Sequence, residues 1–121
     1  MIRNYLVLKS EGKIVFIQVD EIDWIEAEGN HILLHLAKES LRIRAQISRL
    51  EEKLDTEVFV RLNRSAIVRI DFIREMVPWF RGTYKTILRD GTELFLSRNY
   101  RERLFAQIPE PLGTRSESIA K

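Results

Sequence analysis

The chain has 121 residues, 45% of them hydrophobic and 31% charged, with a formal net charge of +2 and no cysteine. That length gives room for one compact domain and not for two, and a chain of this size buries about two thirds of its unfolded surface. No run approaches the ~18 apolar residues of a membrane span, no secretory leader opens the chain, and the lack of cysteine excludes disulfides and thiolate metal sites. A cytoplasmic protein that folds alone is expected.

The charge is unevenly spread. Residues 1–41 carry four basic and seven acidic side chains, whereas residues 42–108 carry fourteen basic and nine acidic ones, and twelve of those fourteen are Arg. Arg suits planar, bidentate recognition of phosphate and guanine, so this bias points the second half of the chain toward nucleic acid. An Arg-preferring genome is the alternative.

Residues 2–9 and 14–18 are strand-like runs separated by Glu11-Gly12-Lys13, a predicted hairpin. Residues 22–28 read as a third strand, and Gly29-Asn30 as a tight turn into a fourth over 31–37. On that fourth strand Ile32, Leu34 and Leu36 share the face expected in the core, while His31, Leu33 and His35 share the other. His31 and His35, with Glu26 and Glu28 nearby, invite a metal site. On a strand, however, four residues separate the two imidazoles by about 13 Å, too far for one ion. No metal and no cofactor is expected.

Residues 40–44 alternate apolar Leu41 and Ile43 with basic Arg42 and Arg44, the pattern of a strand with one wet face. A short helix is predicted over 48–54. Ser48 and Glu51 have capping-box spacing, and Ile47, Leu50 and Leu54 supply an apolar stripe. An exposed helix start beside Arg42 and Arg44 is a candidate phosphate site, although capping explains Ser48 equally well.

The stretch over 59–73, FVRLNRSAIVRIDFI, is strand-like at both ends and interrupted by Asn63-Arg64-Ser65. An amide, a guanidinium and a hydroxyl on one loop suit nucleic acid: Arg forks to guanine or phosphate, Asn pairs with adenine, and Ser bonds a phosphate oxygen. A solvated polar turn is the competing reading. Arg61, just ahead of the loop, is a candidate anchor for a phosphate or for a neighbouring carboxylate. Asp71 is predicted to start a single helical turn.

Residues 73–80 read as a strand whose second half Pro78 demotes to an edge, with Trp79 and Phe80 as core or edge cover. Arg81-Gly82-Thr83 turns the chain, and residues 84–89 and 92–96 form a hairpin about Asp90-Gly91. A last helix is predicted over 98–108, with Ser97 at its N-cap and Tyr100, Leu104 and Ile108 facing inward. Arg98 then lies in the first turn, where a cation opposes the helix dipole, so something other than local preference holds it there. Arg101 lies one turn further on, within reach of the same phosphate backbone. Residues 109–121 are rich in Pro, Gly and Ser and read as a disordered tail after a domain spanning 1–108.

The short strands and two helices make a β-dominated α+β domain. Three blocks, F-x-R-x-N-R-S-x-x-V at 59–68, IDWIEAEGN at 22–30 and LFLSRNY at 94–100, resemble in the same order the signature of the LytTR DNA-binding domain, found mainly at the C-terminus of bacterial response regulators. The resemblance covers roughly residues 2–108. Asn63 and Arg69 depart from it, standing where the family usually carries His and Asn. It implies an elongated stack of small, mostly antiparallel sheets, with one short middle helix and a C-terminal helix, whose edge loops enter successive grooves of double-stranded DNA.

On that resemblance Asn30, His31, Asn63, Arg64 and Arg98 read base edges, and Arg42, Arg44, Ser48, Arg61, Ser65 and Arg101 contact phosphates. It also implies a homodimer on repeated half-sites and a receiver or sensor domain, covalent or separate; the chain is an excised piece or a stand-alone regulator. Catalysis is not expected, since no nucleophile elbow or Gly-rich phosphate loop is present. A protein-interaction module pairing through the Pro78-Trp79-Phe80 edge is the alternative.

Overall fold

Alternating residues in the first half and two-sided apolar runs over 59–69 become three antiparallel sheets in the computed structural model, which describes residues 4–114 and 116–119. Strands β1 (Tyr5–Ser10) and β2 (Lys13–Gln18) pair as a hairpin. Strands β3 (Ile22–Glu28), β4 (His31–Leu36), β5 (Ser40–Arg44), β6 (Phe59–Asn63) and β7 (Ala66–Arg69) form a five-stranded sheet in the order β5-β4-β3-β7-β6. Strands β8 (Ile73–Pro78), β9 (Tyr84–Leu88) and β10 (Glu93–Leu96) form a third sheet in the order β10-β9-β8. Helices are short: α1 (Ile47–Glu51) and α2 (Arg101–Gln107). The β-dominated α+β architecture is as expected, although residues 2 and 3 of the first expected strand lie outside the described residues.

The five-stranded sheet is buried on both faces only where β3, β7 and β6 lie. On one face Ile25, Phe59 and Ile67 pack with Leu6 and Ile17 of the hairpin and with Ile47 and Leu50 of α1. On the other face Trp24, Val60, Leu62, Ala66 and Val68 meet Leu88 and Leu96 of the third sheet and Leu104 of α2. Successive residues of a strand point to opposite faces, so a strand sandwiched in this way is apolar at most positions. This is why 59–68 reads as apolar runs around its polar loop, with the buried Arg61 as the exception in β6. Each fully buried Leu or Ile contributes about 1.5–3 kcal/mol, and truncating Leu62 or Leu104 to Ala is expected to cost about 2–5 kcal/mol.

On β4 the alternation works as read: Ile32 and Leu34 are buried, and His31, Leu33 and His35 face the partly open side. Pro78 ends an edge strand, where its missing N–H costs no ladder bond. The 3₁₀ turn at Ile70–Phe72 is the single turn expected at Asp71.

Three local expectations are corrected. The middle helix starts one residue early, with Gln46 at its N-cap and no side-chain cap bond, so Ser48 lies inside the first turn and the Ser48–Glu51 capping box does not form. Burial of Ile47 draws that residue into the helix, and Glu51 is taken by arginines instead. The last helix is split: Arg98–Tyr100 is a 3₁₀ turn and α2 begins at Arg101, so Arg98 precedes the helix rather than opposing its dipole from within, and the Ser97 side chain makes no cap bond. Of the two roles read for Trp79 and Phe80, core and edge cover, the core role does not form, since they are 47% and 73% exposed beside the edge strand β8. Residues 109–114 and 116–119 carry neither helix nor strand.

Candidate nucleic-acid interface

Antiparallel pairing gathers the predicted loops at one end of the strands. His31 pairs with Arg44 and with Glu28, and Glu26 pairs with Ala66, so the Gly29-Asn30 turn, the end of β5 and the Arg64-Ser65 turn share one rim of the five-stranded sheet. The Ala27 N–H donates to the Ser65 carbonyl at 2.8 Å, fastening two of those turns together. A register shift between Arg61 and Asn63 leaves Leu62 unpaired on β7. Its carbonyl instead accepts from the Ser97 N–H at 3.0 Å, which brings the end of β10, and hence Arg98, onto the same rim.

Which arginines are free then decides the chemistry. Arg61 is buried, 8% exposed, and each of its three guanidinium nitrogens has a partner: Nη1 donates to Glu51 at 2.7 Å, Nε to the Asn63 carbonyl at 2.8 Å and Nη2 to the Arg64 carbonyl at 2.7 Å. Of its two predicted roles, the carboxylate anchor is formed in the structure. Arg103 completes Glu51 from α2 at 2.6 Å. Arg101 donates to the Gly82 carbonyl at 3.2 Å, and Arg42 pairs with Glu28 on the surface. Among the described residues Arg44, Arg49, Arg64, Arg81 and Arg98 have no hydrogen-bond or carboxylate partner; all five are exposed.

Asn63 differs from its predicted part as well. Its Nδ2 donates to the Phe95 carbonyl at 2.8 Å and its Oδ1 accepts from the Ser65 N–H at 2.7 Å. The first bond ties the turn to β10 and the second closes the turn, an Asx geometry that frees neither end to read adenine as a bidentate partner. Asn63 and Arg61 therefore shape the loop that presents Arg64 and the Ser65 hydroxyl. At the far flank Asn30, Arg44, Ala45 and Gln46 line an open hollow of about 320 Å³, and Ser48 is exposed two residues beyond it.

At the opposite ends of the strands the charges are paired. Arg69 reaches Asp71, Asp23 and the carbonyls of Asp20 and Ile22, and Arg89 donates to the Asp71 carbonyl at 2.8 Å. Burial pushes the Asp23 carboxyl above its ordinary value of 3.8, partly offset by Arg69 and reinforced by Asp90 and Asp71. His35 stacks on Trp24 and bonds Glu26 and Ser40.

The sequence pattern of the LytTr DNA-binding domain matches residues 12–108. A sensory transduction protein LytT of Bacillus subtilis is 30% identical over 102 residues, 84% of this chain and 42% of that protein. A transcriptional regulatory protein LytR of Staphylococcus aureus is 25% identical over 103 residues, 85% of this chain and again 42% of the relative. Among solved structures, a LytTr DNA-binding domain from Bacillus cereus superposes with a TM-score of 0.75 at 17% identity, covering 87% of this chain and 96% of that one. The chain thus spans about two fifths of the length of the relatives it matches.

Proposed function

From its membership of the LytTr DNA-binding domain family, we propose that this chain reads a specific double-stranded DNA sequence through the rim of its strands, as the effector part of a bacterial transcriptional regulator. The observation that carries the reading is the partition of arginines. Exposed guanidiniums without partners stand on the rim at Arg44, Arg64 and Arg98, while the arginines of the opposite end are spent on aspartates and carbonyls. An unpaired guanidinium is pre-set for a fork to a guanine edge or a phosphate.

In this reading Arg64 and Arg98 contact base edges from neighbouring turns, and Asn30 with His31 serves the third. Arg42, Arg44, Ser48 and the Ser65 hydroxyl set register on phosphates, which positions the protein without reading sequence. Asn63, Arg61 and Arg101 act one step back, holding the turns. Residues 1–108 form the DNA-binding unit and residues 109–121 a tail outside it. A homodimer on repeated half-sites, a receiver domain and action in the cytoplasm complete the proposal. Among the described residues no helix is long and apolar enough to cross a membrane.

A second reading has an observation of its own. Trp79, Phe80 and Phe95 are 47%, 73% and 45% exposed, and Trp79, just after the edge strand β8, packs against both Phe80 and Phe95 of the opposite edge strand β10, a surface suited to a protein partner. Fluorescence anisotropy separates the two. The protein is titrated into a labelled duplex from its gene's upstream region, and into one enriched from a randomised pool, at several salt concentrations beside a scrambled control. Binding that falls steeply with salt and favours the chosen duplex supports DNA reading. No binding to any duplex at low salt sinks it and leaves the aromatic edge as the functional surface.

A further inference from the structure

The β9–β10 register carries the rim one step past Arg98. Tyr84 pairs with Leu96, so the chain entering β9 runs beside the chain leaving β10. There Arg81, Thr83, Ser97, Arg98 and Asn99 line an open hollow of about 300 Å³. Nothing in the local sequence marks Arg81 as more than part of a turn.

The corner is built rather than loose. Arg81 holds left-handed backbone, φ 54° and ψ 40°, a conformation costing a residue with a Cβ about 1–2 kcal/mol. The surroundings keep it there. The Trp79 N–H donates to the Thr83 carbonyl at 2.9 Å, and the Thr83 N–H and hydroxyl donate to the Phe80 carbonyl at 3.1 Å and 2.6 Å. Arg101 clamps the Gly82 carbonyl. A Cβ added at Gly82 would stand 2.8 Å from Arg101 Nη1 and 3.5 Å from Arg98 Cδ, so the corner and the stem of Arg98 are in contact. Two guanidiniums, Arg81 and Arg98, thus border one hollow, and neither has an anionic partner among the described residues. Like charges gathered at fixed positions with no counter-charge raise the local potential and favour an anion between them.

We propose that this corner is a phosphate seat on the DNA backbone, in which Arg81, with the Ser97 hydroxyl and the Asn99 amide, holds the phosphate flanking the base that Arg98 reads. The inference rests on the DNA-binding reading and adds to it a contact from the β8–β9 corner. It assigns Arg81 to register and leaves sequence choice to Arg98, because phosphates flank every groove contact and carry no base identity.

The test compares wild type with Arg81→Gln, Arg81→Lys and Arg98→Ala on a duplex that the wild-type protein selects from a randomised pool and on its scrambled counterpart, across a salt series. Arg81→Gln is expected to weaken both duplexes by the same several-fold factor and to flatten the logarithmic salt slope by about 0.9, the share of one phosphate. Arg81→Lys should stay close to wild type, since a phosphate accepts a point charge. Arg98→Ala should instead shrink the ratio between the two duplexes. Unchanged affinity and slope in Arg81→Gln, a loss confined to the selected duplex, or an Arg81→Lys variant as weak as Arg81→Gln would each overturn the proposal. A wild-type protein that binds no duplex removes the DNA reading itself, a result distinct from wild-type binding that Arg81→Gln leaves intact.

Discussion

Arg69 and Arg98 stand at opposite ends of the strands, and their surroundings differ in what they leave over for a partner. Arg69 is mostly buried and satisfied by Asp71, Asp23 and two backbone carbonyls. Arg98 is exposed and has no acceptor among the described residues, yet its stem rests against Gly82 and its turn is bonded to β6. The first arrangement satisfies a cation and contributes to stability; the second holds a cation in place and leaves its donors open. Arg61 shows that the rim uses both. It is buried beside the Arg64 turn with each guanidinium nitrogen bonded, and its bond to the Arg64 carbonyl holds the turn while the Arg64 side chain stays exposed.

The comparison is broken or sharpened by separating stability from binding. Among the polar side chains of the rim, Arg61→Ala should be the most damaging change, lowering unfolding free energy by about 2–3 kcal/mol, because a charged donor is lost from Glu51 and two loop carbonyls; urea unfolding reads this directly. Arg98→Ala should leave urea unfolding within about 0.5 kcal/mol of wild type but weaken the selected duplex by about 1–3 kcal/mol. A variant that lost stability and binding together would erase the distinction between the two kinds of arginine. Asn63→Ala should cost about 1 kcal/mol of stability through its two hydrogen bonds, and should lower affinity for selected and scrambled duplexes unequally if the turn it closes presents Arg64 to a base.

The smallest effect belongs to the paired end. The raised Asp23 carboxyl binds its proton more tightly in the folded chain than in the unfolded one. Its contribution to stability is therefore fullest below the ordinary value of 3.8 and is lost as pH rises through the raised value. Melting temperatures measured across that window should fall less steeply in Asp23→Asn than in wild type, with DNA affinity untouched.

The strands and hairpins were legible because their cause is local. Alternation at β4, the two-sided apolar runs of β6 and β7, and Asp90-Gly91 each act within a few residues. The fates of individual polar groups were not, because their partners are distant in sequence. Arg61 meets Glu51 ten residues away, Asn63 meets the Phe95 carbonyl across 32, and Arg103 reaches Glu51 across 52. Hence Asn63 read only as a ligand-binding group, and the carboxylate that Arg61 meets could not be named, although both side chains bond within the protein. Ser48 was misplaced for a packing reason, the burial of Ile47. Arg81 was not singled out, because its neighbour Arg98 comes from across the hairpin: counting outward from Asp90-Gly91 pairs Tyr84 with Ser97, one residue off the observed pairing of Tyr84 with Leu96.

The unpaired Leu62 of β6 has a bearing on how much extra chain the molecule can absorb. Its carbonyl is bonded to Ser97, just past β10, and the Asn63 amide to Phe95 within it, so the Arg64-Ser65 turn is cut to length between fixed points. A peptide spliced into that turn would pull the two apart. Gly91, at the other end of the same two sheets, has open space around it and meets no such constraint. A fluorescent or affinity tag inserted there would ride on the far side of the molecule, leaving the rim proposed to meet DNA at its native length.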